Sequence, residues 1–423
     1  MKIALPWKDE SGLFRHGSML MAGTLAGALC NAGFHMVVGR TLPNAEYGSL
    51  VAMLGIVLVA STPMLALQNT LAHYVSAMVL ENRRGDVLPL FLHWVRLFAA
   101  LSVALVAGAV VWRAPLAEFW RVAPPLAVLT FAVLAATLWM SLFYGLLQGM
   151  QSFGWLSWAP QAWGATRLLL GGGLTAFVSA TAMMAVGAQG AGVLAVLALC
   201  LWAVAGMRLP RNPAAPHSRG TYRYLGSALV CLAGYAMLMN LDAALAKHYF
   251  DSETAGRFAK AATIARTAVF LPVPIATALF PKVTSAGELT DVSWSLLGRA
   301  MAFAGLLIAA VAGVCLLFPQ LPWTILYGRW SAESAASAAG LTRAMVMAMS
   351  PLALAYLLLN FEMAQRRFVW CYGLVPCALA YVAGVARFHS HPAQVAMVLG
   401  ALNLVAVLLL AAGVFVRRGR PAE

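Results

Sequence analysis

Twelve runs of about twenty apolar residues each fill this chain, and only short polar breaks separate them. They cover 17–39, 48–70, 87–111, 122–146, 155–178, 181–206, 222–247, 257–281, 293–317, 335–360, 367–386 and 393–416. The least distinct are the fifth and sixth, divided only by "SAT", and the short eleventh. A run of this length crosses the hydrocarbon core of a bilayer as a helix. Inside lipid the backbone has no water to bond, so each span must satisfy its own amides, which an α-helix does. The fold class expected is therefore an all-α polytopic membrane protein with about twelve transmembrane helices.

Composition supports the same class. Hydrophobic residues make up 62% of the chain and charged residues 10%, against about 25% charged in soluble domains. The net charge of +14 sits in short segments between spans. No soluble domain is large enough to carry a basic nucleic-acid face, so the charge reads as orienting the chain in the membrane. With the N-terminus inside, the inner segments hold fifteen Lys and Arg and the outer ones eight, which favours both termini on the cytoplasmic side. The start, "MKIALPWKDESGLFRHG", lacks the apolar core of a cleavable signal peptide. The six cysteines form no CxxC pair and mostly sit in apolar runs. They read as small buried hydrophobes, with no support for a metal or redox site.

The longest polar stretch, "GMRLPRNPAAPHSRGTYR" (206–223), divides the chain near its midpoint. It reads as a cytoplasmic linker, giving an N-terminal six-helix lobe at 1–206, a linker at 207–221 and a C-terminal six-helix lobe at 222–423. The halves echo one another. At an ungapped offset of 208, residues 46–76 fall on 254–284, with Gly48 on Gly256, Leu71 on Leu279 and Val75 on Val283. "QGMQSF" (148–153) and "MAQRRF" (363–368) follow the fourth and tenth spans. Two parallel six-span repeats about an axis along the membrane normal account for both echoes.

"GRTLPNAEYGSL" after the first span resembles the polysaccharide-exporter (O-antigen flippase) branch of the multidrug/oligosaccharidyl-lipid/polysaccharide (MOP) exporter superfamily. So do "LLQGMQSF" after the fourth and "NLDAALAKHYFDSETAGRFAKAATI" with "LFPKV" across the seventh and eighth. With the span count and the linker, the resemblance covers nearly the whole chain. It implies two six-helix lobes related by pseudo-twofold symmetry around a central cavity that faces either side in turn. It also implies a non-enzymatic inner-membrane flippase for a polyprenyl-diphosphate-linked oligosaccharide, the repeat unit of O-antigen, capsule or exopolysaccharide. The implied partners are the lipid-linked oligosaccharide, the bilayer, and polysaccharide polymerase and export machinery. No cofactor or nucleic acid is implied. Lipid II flippases of the superfamily typically carry two further spans, which argues against a peptidoglycan precursor as cargo.

Such a cargo needs cations in a hydrated cavity, and arginine's fork suits phosphate oxygens. An in-span arginine costs about 2.5–3.5 kcal/mol on insertion scales, so it is usually found facing protein or water. Arg266 in the eighth span and Arg167 in the fifth lie deepest. Arg343 is a third of the way into the tenth span, and Arg40 closes the first on the outer side. Each is a diphosphate candidate, and equally a structural ion pair or snorkelling anchor. Lys260 and Arg257 read as near the outer mouth. Six residues apart, Lys260 and Arg266 are placed on opposed faces, so they do not form one site on their own. Asn31, Gln68, Asn69, Asn240 and Asn360 could bond sugar hydroxyls or join helix to helix. Gly23 and Gly27 make a GxxxG that reads as a packing face.

Two carboxylates fall in or against spans. Glu362 precedes Arg366 by four residues and reads as a surface pair. Asp242 has no such local partner. It needs a cation from another helix, with Arg266 and Arg40 as the options, or water in a cavity. It is thus a candidate for gating or for coupling transport to a proton or sodium ion. Pro63, Pro160, Pro272, Pro274, Pro351 and Pro376 lie in spans and permit bends, with Pro272 and Pro274 just past Arg266. The rival readings are a cation-coupled multidrug antiporter of the same superfamily and, behind it, a membrane polysaccharide polymerase. The antiporter would want more buried carboxylates. The polymerase would want a large outer loop or a DxD motif, and neither is present.

Overall fold

The computed structural model describes residues 10–207, 209, 219–270, 291–328, 332–365 and 367–416, and among them there is no strand. The helices follow the apolar runs. They are α1 (Glu10–Thr41), α2 (Asn44–Ser61), α3 (Met64–Leu80), α4 (Val87–Val111), α5 (Arg113–Trp120), α6 (Pro124–Gly149), α7 (Phe153–Phe177), α8 (Ala182–Ala205), α9 (Arg219–Asn240), α10 (Asp242–Tyr249), α11 (Ser252–Phe270), α12 (Asp291–Leu317), α13 (Gln320–Tyr327), α14 (Ala332–Ala364), α15 (Leu374–Arg387) and α16 (Pro392–Phe415). Every expected span has a helix among the described residues, the eighth as far as Phe270. The second is divided at Thr62 and Pro63 into α2 and α3, and the seventh at Leu241 into α9 and α10.

Some features anticipated from sequence lie outside the described residues. These are Pro272, Pro274, Leu279, Lys282 and Val283, most of the 207–221 linker with Arg208 and Arg211, and Arg329 and Arg366. Lys2, Lys8, Arg417, Arg418 and Arg420 lie outside as well.

Seven helical segments among the described residues are long and apolar enough to cross a bilayer, or eight if the bent pair from Tyr224 to Tyr249 counts as one. Large apolar side chains stand outward on them, with Val111 at 74% and Leu317 at 72% of full exposure. Water would not tolerate that density of exposed apolar surface; lipid does. The protein is a multi-pass membrane protein.

The prolines have distinct effects. Pro63 falls where α2 stops. Pro160 and Pro351 lie inside α7 and α14, which run on through them. Pro376 sits in the first turn of α15, where its missing N–H is harmless.

Packing resolves two compact units. One comprises Met1–Thr41, Leu67–Arg113 and Pro125–Ser218; the other comprises Leu42–Ala66, Ala114–Pro124 and Arg219–Glu423. The covalent halves and the packed units thus differ, because α2 and most of α5 group with the second unit.

In the first unit α1 lies along α7. A Cβ on Gly23 would meet the Ser157 carbonyl, one on Gly27 the Gln161 side chain, and one on Gly164 would lie 3.3 Å from the Gly27 carbonyl oxygen. The GxxxG is therefore a packing face. Lipid offers no hydrophobic drive for helices to associate, so close backbone approach through small residues supplies the contact energy.

In the second unit α11 is buried around most of its circumference, with Ala255, Ala259, Ala261, Ala262, Ala265 and Ala268 all enclosed. Alanine's small volume lets α2, α10 and α14 close on it. Against α2 the approach narrows to one glycine on each helix: a Cβ on Gly48 would lie 2.9 Å from the Gly256 Cα.

Asp251 starts α11. Its Oδ1 accepts the amides of Glu253 and Thr254, both at 3.0 Å. Bonds from Thr254 and these amides hold the carboxyl below its usual range. A carboxyl lowered on folding stabilises the fold above its unfolded value near pH 4, and that contribution fades as pH falls through the folded value. Solvent exposure keeps this pH-linked part small. Asp251→Ala is expected to cost about 1 kcal/mol, read as a lower unfolding temperature in detergent. Asp251→Asn should keep most of the cap at neutral pH and lose its share of the acid sensitivity.

Candidate functional site

The seventh span breaks at Leu241, where α9 and α10 meet at a bend of 50°. A break frees backbone groups that a continuous helix would pair. The Met239 carbonyl, whose regular partner would be the amide of residue 243, instead accepts Arg266 Nε at 3.3 Å. Asp242 stands at the first position of α10, where the helix dipole favours a carboxylate. Its side chain has no exposed surface, and its Oδ1 pairs with Arg266 Nη2. Arg266 reaches there from α11, whose alanines leave room for a long side chain, and is itself 8% exposed. One guanidinium thus meets both the carboxylate and a freed carbonyl of the break. Of the two cations open to Asp242 by sequence, Arg266 is the one it takes.

The satisfaction is incomplete. Asp242 Oδ2, Asn240 Oδ1 and the Tyr381 hydroxyl are buried without a hydrogen-bond partner among the described residues. Asp242 and Arg266 both act electrostatically on that hydroxyl, which α15 carries. Asn240 Nδ2 is committed to the Ala236 carbonyl at 3.1 Å on its own helix. A Cβ on Gly55 of α2 would strike the Asn240 carbonyl, so glycine is what lets α2 cross at the break.

A second polar layer lies further along α11. Lys260 Nζ stands 5.7 Å from the Tyr47 ring centre and 5.0 Å from that of Tyr327. Tyr47 Oη donates to Thr263 Oγ1 at 3.3 Å, and Tyr327 Oη donates to the Lys260 carbonyl at 3.1 Å. The two rings meet edge to face, centres 5.6 Å apart. Lys260 is mostly buried. Six residues on a helix of 3.6 per turn separate two side chains by about 120°, not 180°. Both cations accordingly have Tyr327 as a neighbour: Lys260 through the ring, Arg266 through its charge. Sequence reasoning missed Tyr47 and Tyr327. The only signal was Tyr47 within the "EYGSL" of the family-like stretch.

The other candidates are dispersed. In the first unit Arg167 is buried on α7, its guanidinium 3.8 Å from the Phe34 ring centre and 5.0 Å from that of Trp163. Its Nη2 is 3.1 Å from His35 Nε2. Arginine only donates, so that ring nitrogen must be the acceptor. Gln68 donates to Gln148 at 3.1 Å, joining α3 to α6. Asn31 is half-buried on α1, while Arg40 and Asn69 are exposed.

In the second unit Arg343 is exposed and donates at 2.9 Å to the Leu316 carbonyl in the last turn of α12. Asn360 bonds its own helix through the Tyr356 carbonyl at 2.7 Å. Glu362, expected in a surface pair, is buried at 2% exposure. Its position in α14 turns it inward, because that helix is enclosed on most sides. The described residues hold no cluster of metal-ligating side chains.

Removing one member of a buried pair strands the other's charge, at about 3–5 kcal/mol. Arg266→Ala and Asp242→Leu are each expected to lower the unfolding temperature in detergent strongly. The double variant Asp242→Leu/Arg266→Met should recover much of the loss, because apolar replacement of both partners is often neutral.

No family model matches the sequence, and no curated protein matches it. Solved structures do match in fold. A multidrug resistance MATE family transporter of the MOP superfamily, in an inward-facing conformation, superposes with a TM-score of 0.76 at 11% identity, over 92% of this chain and 94% of its own. The lipid II flippase MurJ, in an inward closed conformation, gives 0.69 at 10% identity, over 94% and 87%. A MOP superfamily transporter from Pyrococcus furiosus Vc1, described as having a binding pocket of reverse polarity, gives 0.68 at 14%, over 96% and 94%. The chain is similar in fold, over nearly its whole length, to transporters of the MOP superfamily.

Proposed function

We propose that this chain is a flippase of the bacterial inner membrane that moves a polyprenyl-diphosphate-linked oligosaccharide by alternating access. In this reading both termini face the cytoplasm. The observation that carries it is the sign of the buried charge. Arg167, Arg266, Lys247 and Lys260 are buried in or beside spans, against Asp86, Asp242 and Glu362 among the described residues. An interior that retains cations at this cost suits an anionic cargo. The fold shared with MurJ, whose described substrate is lipid II, supports a lipid-linked substrate class. The short motifs after the first, fourth and seventh spans support an oligosaccharide unit as the headgroup.

Within this reading Arg266 and Asp242 form the gating element. The pair spans a bent span and its neighbour, and a phosphate competing for the guanidinium would release the carboxylate. Arg40, Arg167, Arg343, Asn31, Gln68 and Asn240 are the further headgroup candidates. The antiporter reading has its own support in the higher TM-score of the MATE structure. In that reading Asp242 carries the coupling ion.

Reconstituted in proteoliposomes, the native chain is expected to flip a lipid-linked oligosaccharide diphosphate. Arg266→Ala should lower the rate by about tenfold or more, the value of one lost charge-assisted bond. Asp242→Asn should alter the rate and its dependence on a proton or sodium gradient. Full flipping by both variants removes them from the mechanism. Drug efflux without flipping establishes the antiporter instead.

A further inference from the structure

The tyrosine layer of α11 has a feature that packing does not explain. Each hydroxyl proton in it is committed: Tyr47 to Thr263, Tyr327 to the Lys260 carbonyl, and Thr263 to the Ala259 carbonyl at 2.8 Å. The Lys260 ammonium is the exception. No acceptor lies within hydrogen-bond distance of Nζ and no carboxylate within ion-pair distance among the described residues. The carboxylate acting on it electrostatically, Glu253, is already bonded to Asn44 Nδ2 and to Arg257 Nε, the latter at 3.4 Å. Lys260 therefore presents its donors to two aromatic faces, with 8% of its surface still accessible.

A cation–π frame can orient an ammonium but cannot accept its hydrogen bonds. Burying a cation without an anion is costly, and apolar residues of similar volume would pack as well. The rings are locked by their own hydroxyl bonds, so the frame is rigid before any ligand arrives. A buried donor held in place by rigid neighbours is how a preorganised anion site is built.

We propose that Lys260, held between Tyr47 and Tyr327, is an anion-binding group that takes a phosphoryl oxygen of a phosphate or diphosphate ester. Lysine suits this as a point charge, and the two tyrosine rings fix where the ammonium sits. The existence of the site follows from the geometry. Its assignment to a lipid-linked phosphate rests on the flippase reading.

The test uses the full chain purified in detergent, with undecaprenyl phosphate, inorganic pyrophosphate and undecaprenol as probes. Lys260→Gln is expected to weaken undecaprenyl phosphate binding by about tenfold or more, the value of one charged hydrogen bond. Lys260→Arg should stay near the native affinity. Undecaprenol, which shares the tail and lacks the anion, should be unaffected by either change. A parallel loss of pyrophosphate binding identifies a site for free phosphates as well; a loss confined to the lipid identifies a headgroup site. Native affinity in Lys260→Gln overturns the proposal. So does native protein that binds undecaprenol as tightly as its phosphate, a result that needs no variant to fold. If the native chain flips its cargo and Lys260→Gln flips it equally, the site falls and the transport reading stands. If the native chain flips nothing yet binds phosphate through Lys260, the transport reading falls and the site stands.

Discussion

One buried ion pair decides how the seventh span can exist. A bent helix in lipid exposes amide and carbonyl groups that nothing in hydrocarbon will bond. At Leu241 the chain accepts that exposure and answers it with Arg266, which takes the Met239 carbonyl and the Asp242 carboxylate together. Either ion alone would carry a desolvation penalty of several kcal/mol. The alanine composition of α11 follows from the same requirement, since only small neighbours leave a path for the arginine. Gly55 on α2 follows too, because the bend pushes the Asn240 carbonyl toward it. Break, pair, alanines and glycine form one solution.

The first unit meets a similar problem differently. Arg167 is as deeply enclosed as Arg266, yet it lies over the face of Phe34 with His35 as acceptor. At the repeat offset of 208, Phe34 is the counterpart of Asp242. An aromatic quadrupole stabilises a guanidinium by about 2 kcal/mol or more when desolvated. It does so without a second buried ion to titrate. The carboxylate version is stronger, and it can be released by a competing cation or anion. That difference is a physical reason to look for switching at α10 and for static support at Phe34.

Much of this was legible in the sequence. The helices follow the apolar runs because the bilayer sets both their length and their type. Asp242 needed a cation from another helix, and Arg266 was one of the two options. What could not be read was anything fixed by how helices rotate against one another. The burial of Lys260 could not be read, because position along a span says nothing of which face is enclosed. Glu362 suggested a surface pair because an i,i+4 spacing is a local pattern, whereas its burial comes from the helices around α14. Tyr327 stands on a short helix after the ninth span, 67 residues from the lysine carbonyl it bonds. The membership of α2 in the second unit is likewise a matter of packing, invisible to a division drawn at a linker.

The crossing of α2 and α11 sets one limit on side-chain size for two helices. A Cβ on Gly48 would lie 2.9 Å from the Gly256 Cα, and one on Gly256 would strike the Asn44 carbonyl. Under the 208 offset read from the sequence the two glycines are counterparts. On that repeat reading, a point where counterparts meet lies on the axis that relates them, as in the self-complementary patch of a twofold dimer. A side chain added on either helix would press on the same contact from opposite sides, so the two positions share a single clearance.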